Sequence, residues 1–157
     1  MSYEIDRLWA DGFTLQLVDI IRQNAMHIID IRESVLGDDI SNATDMVVSV
    51  TGGDIAVRIR RNQTPFRDFT LRSQRISGAK TELQKIRDGF ADWYLYAWTD
   101  KDIISEWILI DLKILRESGI LDVARTEIRN IDGKTSFIVI PVRELELHGC
   151  IVSKLLS

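Results

Sequence analysis

Cysteine is nearly absent from this chain. With Cys150 alone, no internal disulfide can form, and a reducing, cytoplasmic setting is expected. Histidine is almost as scarce. His27 and His148 lie far apart in sequence, which argues against a zinc site. Any metal should then be a hard ion held by carboxylates. No apolar run approaches the ~20 residues that a membrane span needs, so no membrane partner is expected. The opening residues, MSYEIDRLWADGF, carry acids where a signal peptide carries basic residues ahead of an apolar stretch. Internal repeats and low-complexity segments are missing too.

What is present is an ordinary globular composition. The chain has 157 residues, 45% of them hydrophobic and 28% charged, and is expected to form one domain over 1–157 with its own core. Its net charge of −4 hides an asymmetry. Residues 58–88 hold nine basic side chains against three acids, a surplus of six that leaves the remainder at −10. A basic patch on an acidic body is either a polyanion footprint or a solvated sheet face whose arginines pair with acids elsewhere.

Hydrophobic spacing lays out the elements. Phe13, Leu17, Ile20 and Ile21 fall on one face of a helix over about 13–24, with Trp9 packing at its start. Residues 26–33 fit helix or strand, with helix preferred, and 37–44 read as a polar loop. Residues 45–50 read as a strand ending at the Gly52-Gly53 turn signal. Ile55, Val57 and Ile59 then alternate with Ala56, Arg58 and Arg60, which puts both guanidiniums on one face of a second strand. After a turn at Gln63, Thr64 and Pro65, Phe69 and Leu71 face the core from a third strand. Asp68, Thr70 and Arg72 share its other face. An antiparallel meander of these three strands in one sheet would gather Arg58, Arg60, Asp68 and Arg72.

Thr81 and Gln84 match a capping box at the start of a short helix that ends near Gly89. Leu83 and Ile86 form its buried stripe, while Glu82 and Lys85 share another face. An aromatic strand follows at 92–98, on which Tyr94, Tyr96 and Trp98 point one way, as core or as base-stacking platforms. A further strand spans 104–110. Asp111 caps a helix that stops at Gly119. Asp132-Gly133 marks a hairpin between 125–131 and 135–142, with Pro141 placing the second strand at a sheet edge.

The order helix, strands, helix, strand, with polar residues converging on a sheet, resembles the core of the PD-(D/E)XK nuclease-like superfamily. Its Holliday-junction-resolvase and restriction-endonuclease-like members are the nearest in shape. There an aspartate opens one strand, and the next carries an acid-x-lysine triplet. Asp45 and the run that leads through Gly52-Gly53 to Arg58-Ile59-Arg60 have that outline, over roughly the first two thirds of the chain. The chain is also similar to small phage and prophage proteins with a Thr-Asp strand, an Arg-x-Arg strand, a Phe-Thr-x-Arg strand and a Thr-Glu-x-x-Lys helix, to which no activity is attached. The fold class that the resemblance implies is α/β (α+β): a restriction-endonuclease-like core, its central mixed sheet flanked by helices, with a C-terminal β-hairpin extension.

The resemblance implies action on nucleic acid, as a metal-dependent endonuclease or as an inactive binding module. A third alternative is an interaction or assembly protein of viral origin. Arg58 stands where the superfamily has its acid, and Arg60 where it has lysine. A guanidinium ~4 Å from a 2+ ion adds about 8 kcal/mol of repulsion at an effective dielectric of ~20, so the usual metal site cannot be built there. One way round shifts the register, making Asp54 the opening acid and Thr70-Leu71-Arg72 the triplet. The other recruits the helix, because superfamily members relocate active-site side chains to neighbouring elements. Asp45, Asp68 and Glu82 would then hold one Mg²⁺, and Lys85 or Arg60 would stabilise charge on a phosphate. The expected catalytic set is Asp45, Glu82 and Lys85, and the expected phosphate-binding set is Arg58, Arg60 and Arg72. The bland alternatives are that Glu82 and Lys85 form an ordinary surface pair and that Asp45 pairs with an arginine. Nucleic acid is the expected partner, and self-association is left open.

Overall fold

The computed structural model describes residues 3–24, 28–33, 46–50, 53–61 and 67–157. Two helices come first, α1 (Tyr3–Asp11) and α2 (Thr14–Asn24). The strands are β1 (Ile28–Glu33), β2 (Met46–Val50), β3 (Gly53–Arg61), β4 (Asp68–Arg75), β5 (Trp93–Asp100), β6 (Ile103–Asp111), β7 (Ile128–Arg129), β8 (Thr135–Pro141) and β9 (Ile151–Leu155). Between them lie α3 (Glu82–Arg87), α4 (Leu112–Glu117), a 3₁₀ turn (Ile120–Asp122) and α5 (Val142–Leu147). The result is a mixed α+β architecture, with a six-stranded mixed sheet in the order β1-β2-β3-β5-β6-β9 and a three-stranded antiparallel sheet in the order β4-β8-β7. No helix among the described residues is long and apolar enough to cross a membrane.

The large sheet is covered on both faces. On one side Phe13, Leu17 and Ile21 pack against Ile55, Val57, Ile59, Leu95 and Leu109. On the other, Tyr94, Tyr96 and Ile108 meet Phe69 and Leu71 of β4, Ile138 and Ile140 of β8, and the apolar stripes of α3 and α4. Double cover explains why β5 is buried at six successive positions and reads as a continuous apolar run rather than an alternating one. Tyr94, Tyr96 and Trp98 are thus core, stacked edge-on in a row that also takes in Phe69. Trp9 lies on α1 and meets Phe13 edge-on, with ring centroids 5.1 Å apart. Arg61 spreads over the Trp9 ring at 4.1 Å and bonds Asp6, tying α1 to β3.

The first two segments of the expected meander pair as antiparallel neighbours, Met46 opposite Val57. The third does not join them. β3 pairs in parallel with β5, Arg58 opposite Tyr96, and a parallel pair needs a crossover. That crossover carries β4 and α3. It lays them over one face of the large sheet, and β4 pairs instead with β8. Period-two alternation was enough to identify β4 as a strand with Phe69 and Leu71 inward. It could not name its partner. Residues 28–33 form a strand where helix was preferred.

Local signals elsewhere hold. Thr81 and Gln84 form the reciprocal capping box of α3, and Asp111 accepts from the Ile114 N–H at 2.9 Å to cap α4. The hairpin turns at Asn130–Gly133, where Gly133 has φ +66°. Pro141 departs from expectation. β8 is the central strand of its sheet, and the proline is tolerated because it is the last residue of the strand and the N-cap of α5. Gly53 is required by close approach, since a Cβ there would lie 2.8 Å from the Trp93 ring.

Candidate functional site

The crossover puts Glu82, at the start of α3, beneath the free edge of β4 and against β3 and β5. Its side chain is almost wholly buried, with 1% of the residue exposed. Three donors surround the carboxylate. Oε2 accepts from Arg58 Nη1 at 2.7 Å and from the Arg72 backbone N–H at 3.1 Å. Oε1 accepts from the Tyr94 hydroxyl. Burial, with the Glu82 charge adding, pushes the Tyr94 hydroxyl well above the usual phenol range, so it donates. One carboxylate thereby joins both sheets: Arg58 and Tyr94 belong to the large one, Arg72 to the small one.

Around this carboxylate lies a surplus of positive charge. The Arg72 guanidinium faces Arg58, Arg75, Glu82 and Tyr94. Burial, then Arg58 and Arg75, lower its pKa. Lys85 sits one helical turn from Glu82 and is only 9% exposed. Its Nζ is buried without a hydrogen-bond partner among the described residues. Burial first, then Arg75, pull the ammonium below the ordinary lysine range. Glu82 opposes this and Lys80 adds to it. Lys80 itself is exposed and pairs with Asp88 at 2.6 Å. Among the described residues, Arg58, Arg72 and Lys85 thus gather at one acid whose oxygens are already engaged, with Arg75 beside Arg72 and Lys85.

Arg75 was missed from the sequence because its parity is opposite to that of Arg72. A bulge corrects the parity. Arg72 pairs with Phe137 and Arg75 with Thr135, with the register slipping between Arg72 and Gln74. Phe137 and Thr135 are two apart on β8 and share a face, so their partners share one as well. The signal was there at Ser73, a polar residue where the alternation of Phe69 and Leu71 calls for an apolar one.

The other expected residues scatter. Asp45 lies outside the described residues. Asp68 opens β4 opposite Pro141, four residues from Arg72 and so about 13 Å along the strand. Burial raises its carboxyl, but strand geometry keeps it from sharing an ion with Glu82. Arg60 leans on the Thr70 hydroxyl at 3.4 Å, and Thr70 in turn meets the Tyr96 hydroxyl at 2.7 Å. The Asp54 backbone is tied at the start of β3 by mutual bonds with Asp92, far from Arg72. Glu82 and Lys85 are no surface pair, since both are buried. Nor does Glu82 fit as a Mg²⁺ ligand: both its oxygens accept from protein donors, and a 2+ ion there would lie against Arg58 and Arg72. Among the described residues no three of His, Cys, Asp and Glu gather to hold a metal ion.

A second buried carboxylate, Glu106, has a different character. Arg67 reaches it with two nitrogens, and Ser157 adds its N–H at 2.9 Å and its hydroxyl at 2.7 Å. Burial works to raise the Glu106 pKa, but those hydrogen bonds outweigh it and hold the group below the usual carboxylate range. Arg67, just ahead of β4, and Ser157, just beyond β9, thereby fasten both segments to β6.

No protein-family model and no curated protein matches the chain. Among solved structures it is similar to the crystal structure of MepB, with a TM-score of 0.40 and 13% identity over 80% of this chain and 76% of that one. At that level the likeness says nothing about activity.

Proposed function

We propose that this chain binds nucleic acid through its phosphates, at the cluster of Lys85, Arg72 and Arg75 beside the Arg58–Glu82 pair, without cleaving it. The buried, unpartnered Lys85 ammonium carries the proposal. A buried charge without a hydrogen-bond acceptor is costly, and here the Arg75 guanidinium and the Lys80 ammonium deepen the cost. A phosphate group supplies what is missing: negative charge and several acceptor oxygens. Arg72 and Arg75 add planar donor sets suited to phosphate. The segment 58–88 that carries these residues has a surplus of six positive charges, which favours approach of a polyanion to an otherwise acidic molecule.

Hydrolysis is not part of the proposal. It needs an activated water and a means of generating it, and Glu82 is committed to Arg58, Arg72 and Tyr94. Fluorescence anisotropy with labelled oligonucleotides, run alongside a cleavage assay in Mg²⁺ and Mn²⁺, tests both halves. Salt-dependent binding with intact substrate is expected. Cleavage abolished by Glu82→Gln would reinstate the nuclease alternative, and absence of binding at low salt would defeat the proposal.

A further inference from the structure

The seam between β3 and β4 continues past the Arg58–Glu82 pair. Arg58 and Arg60 share one face of β3, opposite Tyr96 and Trp98 of β5. Ile55, Val57 and Ile59 fill the other face against α2. On β4, Thr70 and Arg72 share a face, opposite Val139 and Phe137 of β8. Two rungs tie the strands. Glu82 joins Arg58 to the Arg72 N–H, and Arg60 reaches the Thr70 hydroxyl. Two residues of extended strand separate the rungs, about 7 Å.

The polar hydrogens of the second rung show what it lacks. Arg60 is half-buried. Among the described residues its guanidinium has no acid partner and makes one bond, from Nη1 to Thr70 Oγ1 at 3.4 Å. Four of its five N–H donors remain. Thr70 Oγ1 also meets the Tyr96 hydroxyl at 2.7 Å. Tyr96 is wholly buried, and among the described residues Thr70 is the one partner of its hydroxyl. A buried hydroxyl hydrogen needs an acceptor, so Tyr96 donates to Thr70. The Thr70 oxygen then accepts twice, and its own hydrogen is left to donate. What remains unspent is donors alone, beside a permanent positive charge. Asp68, the acid on this face of β4, lies two residues beyond Thr70 and ends the donor row. Phosphate answers such a set with negative charge and several acceptor oxygens. Arg72, part of the cluster described above, stands one rung away, a step that neighbouring phosphates of one backbone can match.

We propose that Arg60 and Thr70 form a second phosphate position, so that nucleic acid follows the β3–β4 seam and is held by consecutive phosphates, one at the Lys85 cluster and one at Arg60. The proposal rests on the nucleic-acid function proposed above and sets its smallest ligand as two linked phosphates. The test measures anisotropy of a labelled single-stranded oligonucleotide across a range of salt, on the full chain and on Arg60→Gln, Arg60→Lys and Arg72→Ala/Lys85→Met. Glutamine keeps a donor for Thr70 and removes the charge, whereas lysine keeps the charge. Arg60→Gln should lower the slope of log K against log salt by about 0.7 and the affinity about 5-fold at 0.1 M salt. Added to Arg72→Ala/Lys85→Met, it should remove the same further slope. Arg60→Lys should keep the wild-type slope, which a merely structural arginine would not predict. Wild-type binding by Arg60→Gln, with Arg72→Ala/Lys85→Met impaired, would overturn the second position and leave the cluster standing. Equal loss of slope in the lysine and glutamine variants would overturn it too. If no variant differs from wild type, both proposals fall.

Discussion

Replacing Glu82 by alanine should lower folding stability by about 3–5 kcal/mol. The substitution removes the acceptor for three donors at once: the Arg58 guanidinium, the Arg72 N–H and the Tyr94 hydroxyl. Arg58 and Tyr94 lie between packed sheets where water cannot easily replace the carboxylate. The free edge of β4 loses its anchor in the same stroke. Glu82→Gln keeps an oxygen for one set of donors but sets an NH₂ against the other, and should cost about 1–3 kcal/mol. Urea denaturation followed by circular dichroism separates this role from a catalytic one. A catalytic glutamate in a solvated cleft would leave an alanine variant stable and inactive. An alanine variant within ~0.5 kcal/mol of wild type would contradict the anchoring role.

The second large effect concerns binding. Arg72→Ala/Lys85→Met removes two cations from the cluster and leaves the Glu82 network in place, because Arg72 serves that network through its backbone N–H. Methionine retains most of the volume of the Lys85 stem and relieves a buried charge, so the variant should be at least as stable at the helix. For a single strand each phosphate contact contributes about 0.7 to the slope of log K against log salt. The double variant should therefore lose about 1.4 of slope and about 25-fold in affinity at 0.1 M salt. Unchanged slope and affinity in a folded double variant would show that these cations meet no phosphate.

Much of the architecture was legible from local pattern. Alternation marked β3 and β4, capping chemistry marked α3 and α4, and Asp132-Gly133 marked the hairpin, because each is decided by interactions within a few residues. What could not be seen depends on partners distant in sequence. Alternation says which face of β4 is inward but not which sheet it joins, so the gathering of Arg58 with Asp68 failed while that of Arg58 with Arg72 survived, through Glu82. The i, i+3 spacing of Glu82 and Lys85 is that of an ordinary exposed pair. Only the crossover, which clamps α3 under β4, buries them. Arg75 required a bulge, and the break in alternation at Ser73 was its only trace. Residues 28–33 carry the same apolar content as a helix face, and pairing with β2 decided them.

Lys85 offers the most direct test of the phosphate site. Its ammonium, held below the ordinary lysine range by burial and Arg75 in the free protein, gains a negative partner when phosphate binds, and its pKa must rise. Linkage then fixes the sign: binding takes up a proton between the free and bound values, so affinity falls as pH climbs through the free-state pKa. Titration of the Lys85 side chain by NMR, with and without a saturating single-stranded oligonucleotide, measures the shift at the atom concerned. The predicted result is a depressed pKa that moves upward on binding. An unchanged Lys85 titration in a saturated complex would contradict the assignment of this cluster as the phosphate site.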